Sequence, residues 1–520
     1  MQASLRRCSM AAVAGIAAAA VGAGSGELLA ALFAQSASPF TVVGGGLIDA
    51  APTWAKDTAI AWFGTADKAA LLVGIGIVLL GLAAGAGIIE ARRPRAGAIL
   101  LAIVGVAVGV LALTRADAGL LAWIPSVLAG AVAATALRML ISSAPFEEAT
   151  LEPPAATTAS GPPVGPSRRR FLAWAGGTAL VGVAMGIAGA LTKAGSAAVS
   201  SVRDAIRLPR PAVPAPAAPA GSALDVPGLS PLITPNRDFY RIDTALIVPA
   251  VDPTDWRLRI HGMVSEEVTV TWDELLALPL TERAVTLSCV SNPVGGDLVG
   301  NAVWLGYPIR ELLARAIPEA DADMVLSTSA DGFTAGTPLE ALTDERDALL
   351  AIGMNGEPLP LAHGFPVRMV VPGLYGYVSA TKWVTDLEVT RFDRARAYWT
   401  DRGWSERGPI KLQSRIDVPR AGRAVEAGDS VIAGVAWQPG TGISGVEVQV
   451  DDGPWERADL ASALSADTWV QWRLTWRAEP GDHRIRCRAI AVDSTVQTDA
   501  IAPPAPDGAS GWHTITATVS

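Results

Sequence analysis

The chain has 520 residues, half of them hydrophobic and only 18% charged, with a mean hydropathy of +0.34. That is too apolar for a purely water-soluble protein, so membrane segments are expected, and the length calls for several domains. The net charge of −9 leaves no basic footprint for nucleic acid, and three cysteines (Cys8, Cys289, Cys487) form neither a disulfide framework nor a CxxC zinc or CxxCH haem signature.

Residues 1–191 read as a membrane region of about five helices. Apolar runs cover 8–34, 69–89, 97–114, 119–141 and 171–191, and about 20 residues cross the hydrocarbon core. The first run follows Arg6-Arg7 and exceeds the apolar core of a signal peptide. Basic residues set the orientation. Arg6-Arg7, Arg92-Arg93 with Arg95, and Arg138 with Arg168-Arg169-Arg170 mark the inner side. The loop at 35–68, with Trp54, Trp62 and Phe63, then falls outside, as does everything after 192. Ser167-Arg168-Arg169-Arg170-Phe171-Leu172 reads in two ways: an ordinary positive-inside flank, or an internal twin-arginine export signal. All four histidines (His261, His363, His483, His513) lie beyond this region. Bis-histidine haem inside the membrane is thereby excluded. The few ionisable residues in the spans, such as Glu27, outline no ion path.

Residues 192–224 are a Pro/Ala-rich linker. Its 208–223 stretch is expected to be a semi-rigid polyproline spacer that holds a folded domain clear of the bilayer. From 225 to 400 strands and helices mix, which predicts an α+β domain. Trp256–Gly262 alternates as a strand and Val268–Thr271 is another. Thr271 and Glu274 form a capping box ahead of a helix at 272–278. A further helix is expected at 308–316, with buried strands at 324–328 and 367–371.

Within this domain Cys289 ends an apolar, strand-like run and opens onto the turn Gly295-Gly296-Asp297. By residue type alone it is a nucleophile, a metal ligand or a buried core filler. Several separated stretches occur in one order around it. They are Thr234-Pro235-Asn236-Arg237-Asp238-Phe239-Tyr240, then Leu287-Ser288-Cys289-Val290-Ser291-Asn292, then Met354-Asn355-Gly356-Glu357-Pro358-Leu359. His363-Gly364-Phe365-Pro366-Val367-Arg368, Pro372-Gly373-Leu374-Tyr375-Gly376, Lys382-Trp383 and Gln413-Ser414-Arg415-Ile416-Asp417 complete the set. Taken together they resemble the sulfite-oxidase family of molybdopterin enzymes, over residues 225–520.

The resemblance implies a molybdenum–molybdopterin cofactor with Cys289 as the protein's one metal ligand, a soft thiolate donor. It implies cofactor contacts from Asn236, Phe239, Tyr240, Asn292, His363, Arg368 and Lys382. The last three would serve the anionic end of the pterin, which needs cationic and amide donors. Three places in the chain depart from the family's oxyanion clamp. Ile242 stands where sulfite oxidases carry an arginine, Pro293 and Val294 replace those after the cysteine, and none precedes Lys382 in Ser379-Ala380-Thr381. Such a clamp needs the planar guanidinium fork. Sulfoxide-like substrates are therefore as compatible as sulfite-like ones. Arg396 and Tyr398 fall near the family's substrate-side tyrosine.

Residues 401–520 become all-β. Alternating runs at 431–437, 446–450, 469–476, 483–492 and 513–519, with turns between them, predict an immunoglobulin-like sandwich without a cysteine pair. Trp437, Trp455, Trp469, Trp472, Trp476 and Trp512 are read as core, and the resemblance implies a domain that packs on the catalytic one and forms homodimers. The reading as a whole is an exported, membrane-anchored molybdopterin oxidoreductase whose fifth helix carries a twin-arginine signal. It carries no haem or flavin motif of its own. It would use a small-molecule substrate and a separate electron-transfer partner, a cytochrome or a quinone-linked protein. The competing reading is a cofactor-free exported binding module that keeps the fold.

Overall fold

The computed structural model describes residues 2–33, 37–50, 67–114, 120–144, 168–191, 194–245 and 248–520. The chain divides into two units, residues 1–198 with 245–247, and 199–244 with 248–520.

The first unit is helical. Arg7–Ala31, Val73–Arg92, Ala96–Leu113 and Ile124–Ser142 are long and apolar enough to cross a membrane, and Phe171–Gly186 is a shorter apolar stretch within the helix Arg168–Leu191. Small residues let these helices approach. A Cβ on Gly105 would sit 2.7 Å from the Cα of Gly130, the close contact that association in lipid exploits. The expected loop at 35–68 holds an unforeseen helix, Pro39–Ala50. Its start is fixed from a distance. The Glu27 carboxylate accepts from Ser38 Oγ at 2.7 Å and from the Phe40 amide at 3.2 Å, satisfying donors that a helix start leaves open. Trp54, Trp62 and Phe63, and most of the expected loop at 142–170, lie outside the described residues.

The second unit opens with a correction. The stretch 208–223 is no free spacer. Leu208 packs on the core, Val213 pairs with Thr281, and the Ala212 amide donates to Leu280 O at 2.7 Å. Further on, Ser462 N donates to Gly221 O and Leu224 N to the Gln471 side chain. Proline content predicted extension correctly. It could not show that an open strand edge (Thr281–Glu282) was there to receive the segment.

Two sheets build the α+β part. In chain order the strands are β1 (Arg257–Gly262), β2 (Val268–Thr271), β3 (Thr281–Ser288), β4 (Val299–Pro308), β5 (Met324–Ser329), β6 (Thr334–Pro338), β7 (Leu349–Met354), β8 (Glu357–Pro358), β9 (Arg368–Val370) and β10 (Val384–Thr390). One sheet runs β2-β1-β10-β5-β6. The other runs β3-β4-β7-β8, with β9 also on β7. The capping box forms: Glu274 Oε2 accepts from the Thr271 amide at 2.8 Å while Thr271 Oγ1 caps the helix Trp272–Ala277. Strand β4 escaped sequence reading because Gly300, Asn301, Gly306 and Pro308 break its apolar pattern. Tertiary pairing with β3 and β7 holds it.

The C-terminal strands are β11 (Gln413–Val418), β12 (Ala424–Val425), β13 (Gly428–Trp437), β14 (Ile443–Val450), β15 (Glu456–Arg457), β16 (Asp459–Leu460), β17 (Val470–Ala478), β18 (Gly481–Ala491) and β19 (His513–Val519). They form sheets β11-β13-β17-β16 and β12-β19-β18-β14-β15. Ile432 and Trp472 from the first meet Val448, Ile485 and Cys487 from the second in one core. Of the six tryptophans expected inside, Trp437, Trp469 and Trp472 are buried. Trp455, Trp476 and Trp512 are half-buried. The Trp455 and Trp512 rings meet edge to face at 4.9 Å, and the Arg488 guanidinium lies 4.2 Å from the first and 5.6 Å from the second.

The two parts of this unit are joined through Thr286 of β3. Its amide donates to Asp467 O at 2.9 Å and its Oγ1 accepts from the Trp469 amide at 2.8 Å, fully buried. Thr286→Val keeps the shape and orphans a buried N–H, which costs about 1–3 kcal/mol. Denaturant unfolding should show that loss with an unchanged m-value; an unaltered midpoint would remove Thr286 as a junction residue.

Candidate active site

Strand β3 ends on Ser288, and the chain then turns sharply. The Cys289 amide donates to Leu298 O at 2.9 Å, closing the base of the loop. Asn292 staples it from inside, its Oδ1 accepting from Leu298 N at 2.9 Å. The thiol is 8% exposed, and its Sγ lies 2.9 Å from Ser291 Oγ. Burial pushes the Cys289 thiol up, against the pull of the Ser291 hydrogen bond and the Lys382 charge.

The loop Thr234–Tyr240 lies beside it. Asn236 is pinned at both ends of its amide, donating to Met354 O at 3.1 Å and accepting from Asn355 Nδ2 at 2.8 Å. Phe239 stacks on Tyr240 at 5.2 Å and meets the edges of Trp304 and His363 at 5.8 and 5.7 Å. Burial raises the Tyr240 phenol far above its usual range, and the Cys289 charge adds to this. The hydroxyl therefore stays protonated as a donor.

His363, Arg368 and Lys382 converge at Gly364. A Cβ there would lie 3.0 Å from that of Arg368 and 3.1 Å from that of Lys382, and φ of +109° suits glycine in any case. Arg368 is 4% exposed. It donates only to main-chain carbonyls, to His363 O at 3.1 Å, Met369 O at 3.3 Å and Ala380 O at 3.4 Å. Among the described residues no carboxylate pairs with it, and burial lowers its pKa to about 10. Lys382 donates to Asp243 at 2.9 Å and to Ala362 O at 3.1 Å, and burial lowers it to about 8. Arg241 shares Asp243, at 2.9 Å. Lys382 and Arg241 thus share one carboxylate, while Arg368 has none among the described residues. His363 Nε2 lies 3.1 Å from Asn236 O, so that nitrogen carries the proton, and Nδ1 is a buried acceptor with no partner among the described residues.

This donor set fits a pterin cofactor with an anionic tail. It offers excess buried positive charge, an unfilled acceptor on His363 and a thiol on a rigid loop. The structure brings all eight predicted residues, Asn236, Phe239, Tyr240, Cys289, Asn292, His363, Arg368 and Lys382, into this one region of the α+β part. Sequence reading missed Asp243, Ser291, Trp304 and Tyr375. Trp304 lies 5.0 Å under the Arg368 guanidinium. Tyr375 is buried, and its phenol is raised to about 12 by burial, with smaller contributions from the Cys289 and Asp507 charges. Tyr375 lies within the Pro372–Gly376 motif, but the motif gave its side chain no role. Arg396 instead pairs with Asp401 at the surface, and Arg402 covers the Tyr398 ring at 3.5 Å.

With this geometry in hand, residues 245–399 match the oxidoreductase molybdopterin binding domain. The mitochondrial sulfite oxidase of Rattus norvegicus is 30% identical over 320 residues, covering 52% of this chain and 58% of that one. The sulfite oxidase of Gallus gallus is 31% identical, covering 52% of this chain and 69% of that one. The chain belongs to the sulfite-oxidase family. It spans 58% of the length of the mitochondrial relative. Among solved structures, the sulfane dehydrogenase SoxCD from Paracoccus pantotrophus aligns with a TM-score of 0.49 at 23% identity, over 55% of this chain and 81% of that one.

Burial of His363 has a pH consequence for the cofactor-free protein. Desolvation, and the Lys382 and Arg368 charges, lower its pKa from 6.5 to about 4. His513 is lowered to about 4 as well. Between those values the unfolded chain binds protons that the folded one refuses. The stability is therefore complete above about pH 6.5 and is lost as pH falls toward 4, by about 3 kcal/mol for His363. Chemical denaturation at a series of pH values should show this slope, and His363→Gln should flatten it. A variant with the wild-type slope would refute the assignment.

Proposed function

We propose that this protein is a membrane-anchored molybdopterin-dependent oxidoreductase that exchanges one oxygen atom and two electrons with a small sulfite-like or sulfoxide-like substrate. The observation that carries the reading is the uncompensated Arg368, buried beside Lys382, His363 and the Cys289 loop. A buried guanidinium without a counter-charge is costly. An anionic cofactor would supply the missing charge.

When bound, the cofactor supplies the two-electron redox centre. The residues of this chain do the rest. Cys289 would ligate the metal through sulfur. Arg368 and Lys382 would hold the anionic tail, and His363, its ring fixed by Asn236, would accept a cofactor donor at Nδ1. Phe239 and Tyr240 would wall the pterin, and Asn292 would keep the cysteine loop closed. Tyr240 holds a proton as a neutral hydroxyl donor near the thiol.

The substrate side differs from an arginine clamp. Ile242 is 38% exposed where sulfite oxidases carry arginine, and Arg241 is engaged with Asp243. These positions support a substrate not held by a cationic fork. The same losses favour the second reading, a cofactor-free binding module.

In this proposal residues 1–191 are the membrane region, with a twin-arginine signal at the fifth helix. Residues 192–224 connect it to the catalytic domain at 225–400 and an immunoglobulin-like dimerisation domain at 401–520. The part after 192 works outside the cytoplasmic membrane, served by a separate electron carrier. The four long apolar helices support the anchoring. The two facing sheets of the C-terminal part support the sandwich.

The test is elemental analysis of the full chain purified in detergent, followed by assays with sulfite and with sulfoxides. Near-stoichiometric molybdenum and turnover of one class are expected. A folded chain without molybdenum would leave the binding module standing.

A further inference from the structure

The tip of the cysteine loop is held from outside the α+β part. Internally the loop Cys289–Leu298 is tethered by Asn292 N to Cys289 O at 3.1 Å, Gly296 N to Pro293 O at 2.9 Å, and the Cys289–Leu298, Asn292–Leu298 and Cys289–Ser291 bonds given above. None of them ties its Gly295-Gly296 tip to the rest of the protein. Two residues of the C-terminal sheets do. Arg415 on β11 donates from Nη1 to Gly296 O at 2.8 Å. The His513 ring, at the start of β19, lies so close to Gly295 that a Cβ there would fall against its Cδ2 and Nε2 atoms.

Both grips are themselves braced. Arg415 donates from Nε to Asp417 at 2.6 Å and from Nη2 to Ser230 Oγ at 2.8 Å, with its side chain 10% exposed. His513 Nδ1 accepts from the Ile416 amide at 2.9 Å. The gripping side chains therefore have little freedom, and the loop tip sits between them. The Cys289 Sγ is one torsion from the backbone of this loop, so the backbone sets its direction.

We propose that Arg415 and His513 are positioning residues that hold the Cys289 loop in the shape needed for metal ligation. The inference rests on the reading of Cys289 as the metal ligand. It gives the C-terminal region a part in building the site, through backbone contacts alone.

The test uses the full chain in detergent, as purified. Iodoacetamide labelling of Cys289 is followed by peptide mass spectrometry, alongside molybdenum per chain and thermal unfolding. Arg415→Met is combined with Asp417→Asn, so that no buried carboxylate is left unpaired. Gly295→Ala attacks the other grip, the His513 contact, from the loop side and leaves the C-terminal core untouched. Val448→Ala is the control, since Val448 is buried in the C-terminal core and does not touch the loop.

Well below the melting temperature, both grip variants should raise Cys289 labelling at least about tenfold by local opening, with loss of molybdenum. Val448→Ala should lower the melting temperature and leave labelling within about twofold of wild type. Grip variants that melt cooperatively with wild-type labelling and molybdenum would overturn the proposal. So would a control that labels as fast as they do. A wild type without molybdenum, whose labelling still responds to the grip variants, would retire the metal-ligand reading and leave the positioning contact in place.

Discussion

Cys289→Ser is expected to lower molybdenum from near one atom per chain to less than about a tenth, and turnover with it. A hydroxyl is a hard donor that stays protonated near neutral pH, whereas a thiol gives up its proton to a bound metal. The replacement is nearly isosteric, and the loop is held by bonds that do not involve sulfur: Cys289 N to Leu298 O and Asn292 Oδ1 to Leu298 N, each 2.9 Å. Folding should therefore survive, with a melting temperature close to that of cofactor-free wild type. Elemental analysis of the two proteins side by side decides the matter. A serine variant that retains full molybdenum would remove Cys289 as the ligand, since Cys487 is locked in the C-terminal core beside Ser414.

Arg368→Met should produce a more unusual pair of effects. Bound cofactor should fall at least tenfold, because a charge-assisted hydrogen bond contributes about 1.5–3 kcal/mol. The cofactor-free chain should meanwhile keep its stability or gain some. Burial has already lowered the Arg368 pKa from 12.5 to about 10, which corresponds to about 3 kcal/mol spent on holding the charged form. Methionine removes that cost and still fills the space beside Trp304. Against it stands the loss of the three carbonyl contacts at His363, Met369 and Ala380. Thermal unfolding of the metal-free variant, together with its molybdenum content, separates the two arms. A variant that unfolds outright would make Arg368 a structural residue and withdraw the main support for an anionic ligand.

The two substitutions also separate the competing readings. A binding module would tolerate both with its function intact, since neither residue faces the exposed surface. An oxidoreductase tolerates neither.

The four helices long and apolar enough to cross a membrane were legible because run length and composition alone display them. The eight candidate residues could be picked out because ordered motifs carry them: each lies in a stretch whose spacing is set by a turn or a short loop, as with His363 and Arg368 across Gly364. The alternating C-terminal strands followed from period-two burial. Cys487, placed inward by that alternation, is buried in the core.

Other features depended on contacts distant in sequence. The proline-rich stretch near Val213 has an extended sequence, but only the free edge at Thr281 decides that it lies on the folded unit. Asp243 looks like any loop aspartate until folding places the Lys382 ammonium 2.9 Å away. Trp455 and Trp512 carry the same apolar signal as Trp472, and only the presence of Arg488 beside them decides that they meet a charge instead of filling a core. The sequence by itself determined which segments are apolar enough for lipid, which residues share a motif and which strands alternate, because these depend on local period and composition. The balance of charge around Arg368 and the grip of Arg415 on Gly296 were decided by tertiary structure alone, because they join groups tens to more than a hundred residues apart whose meeting no local pattern encodes.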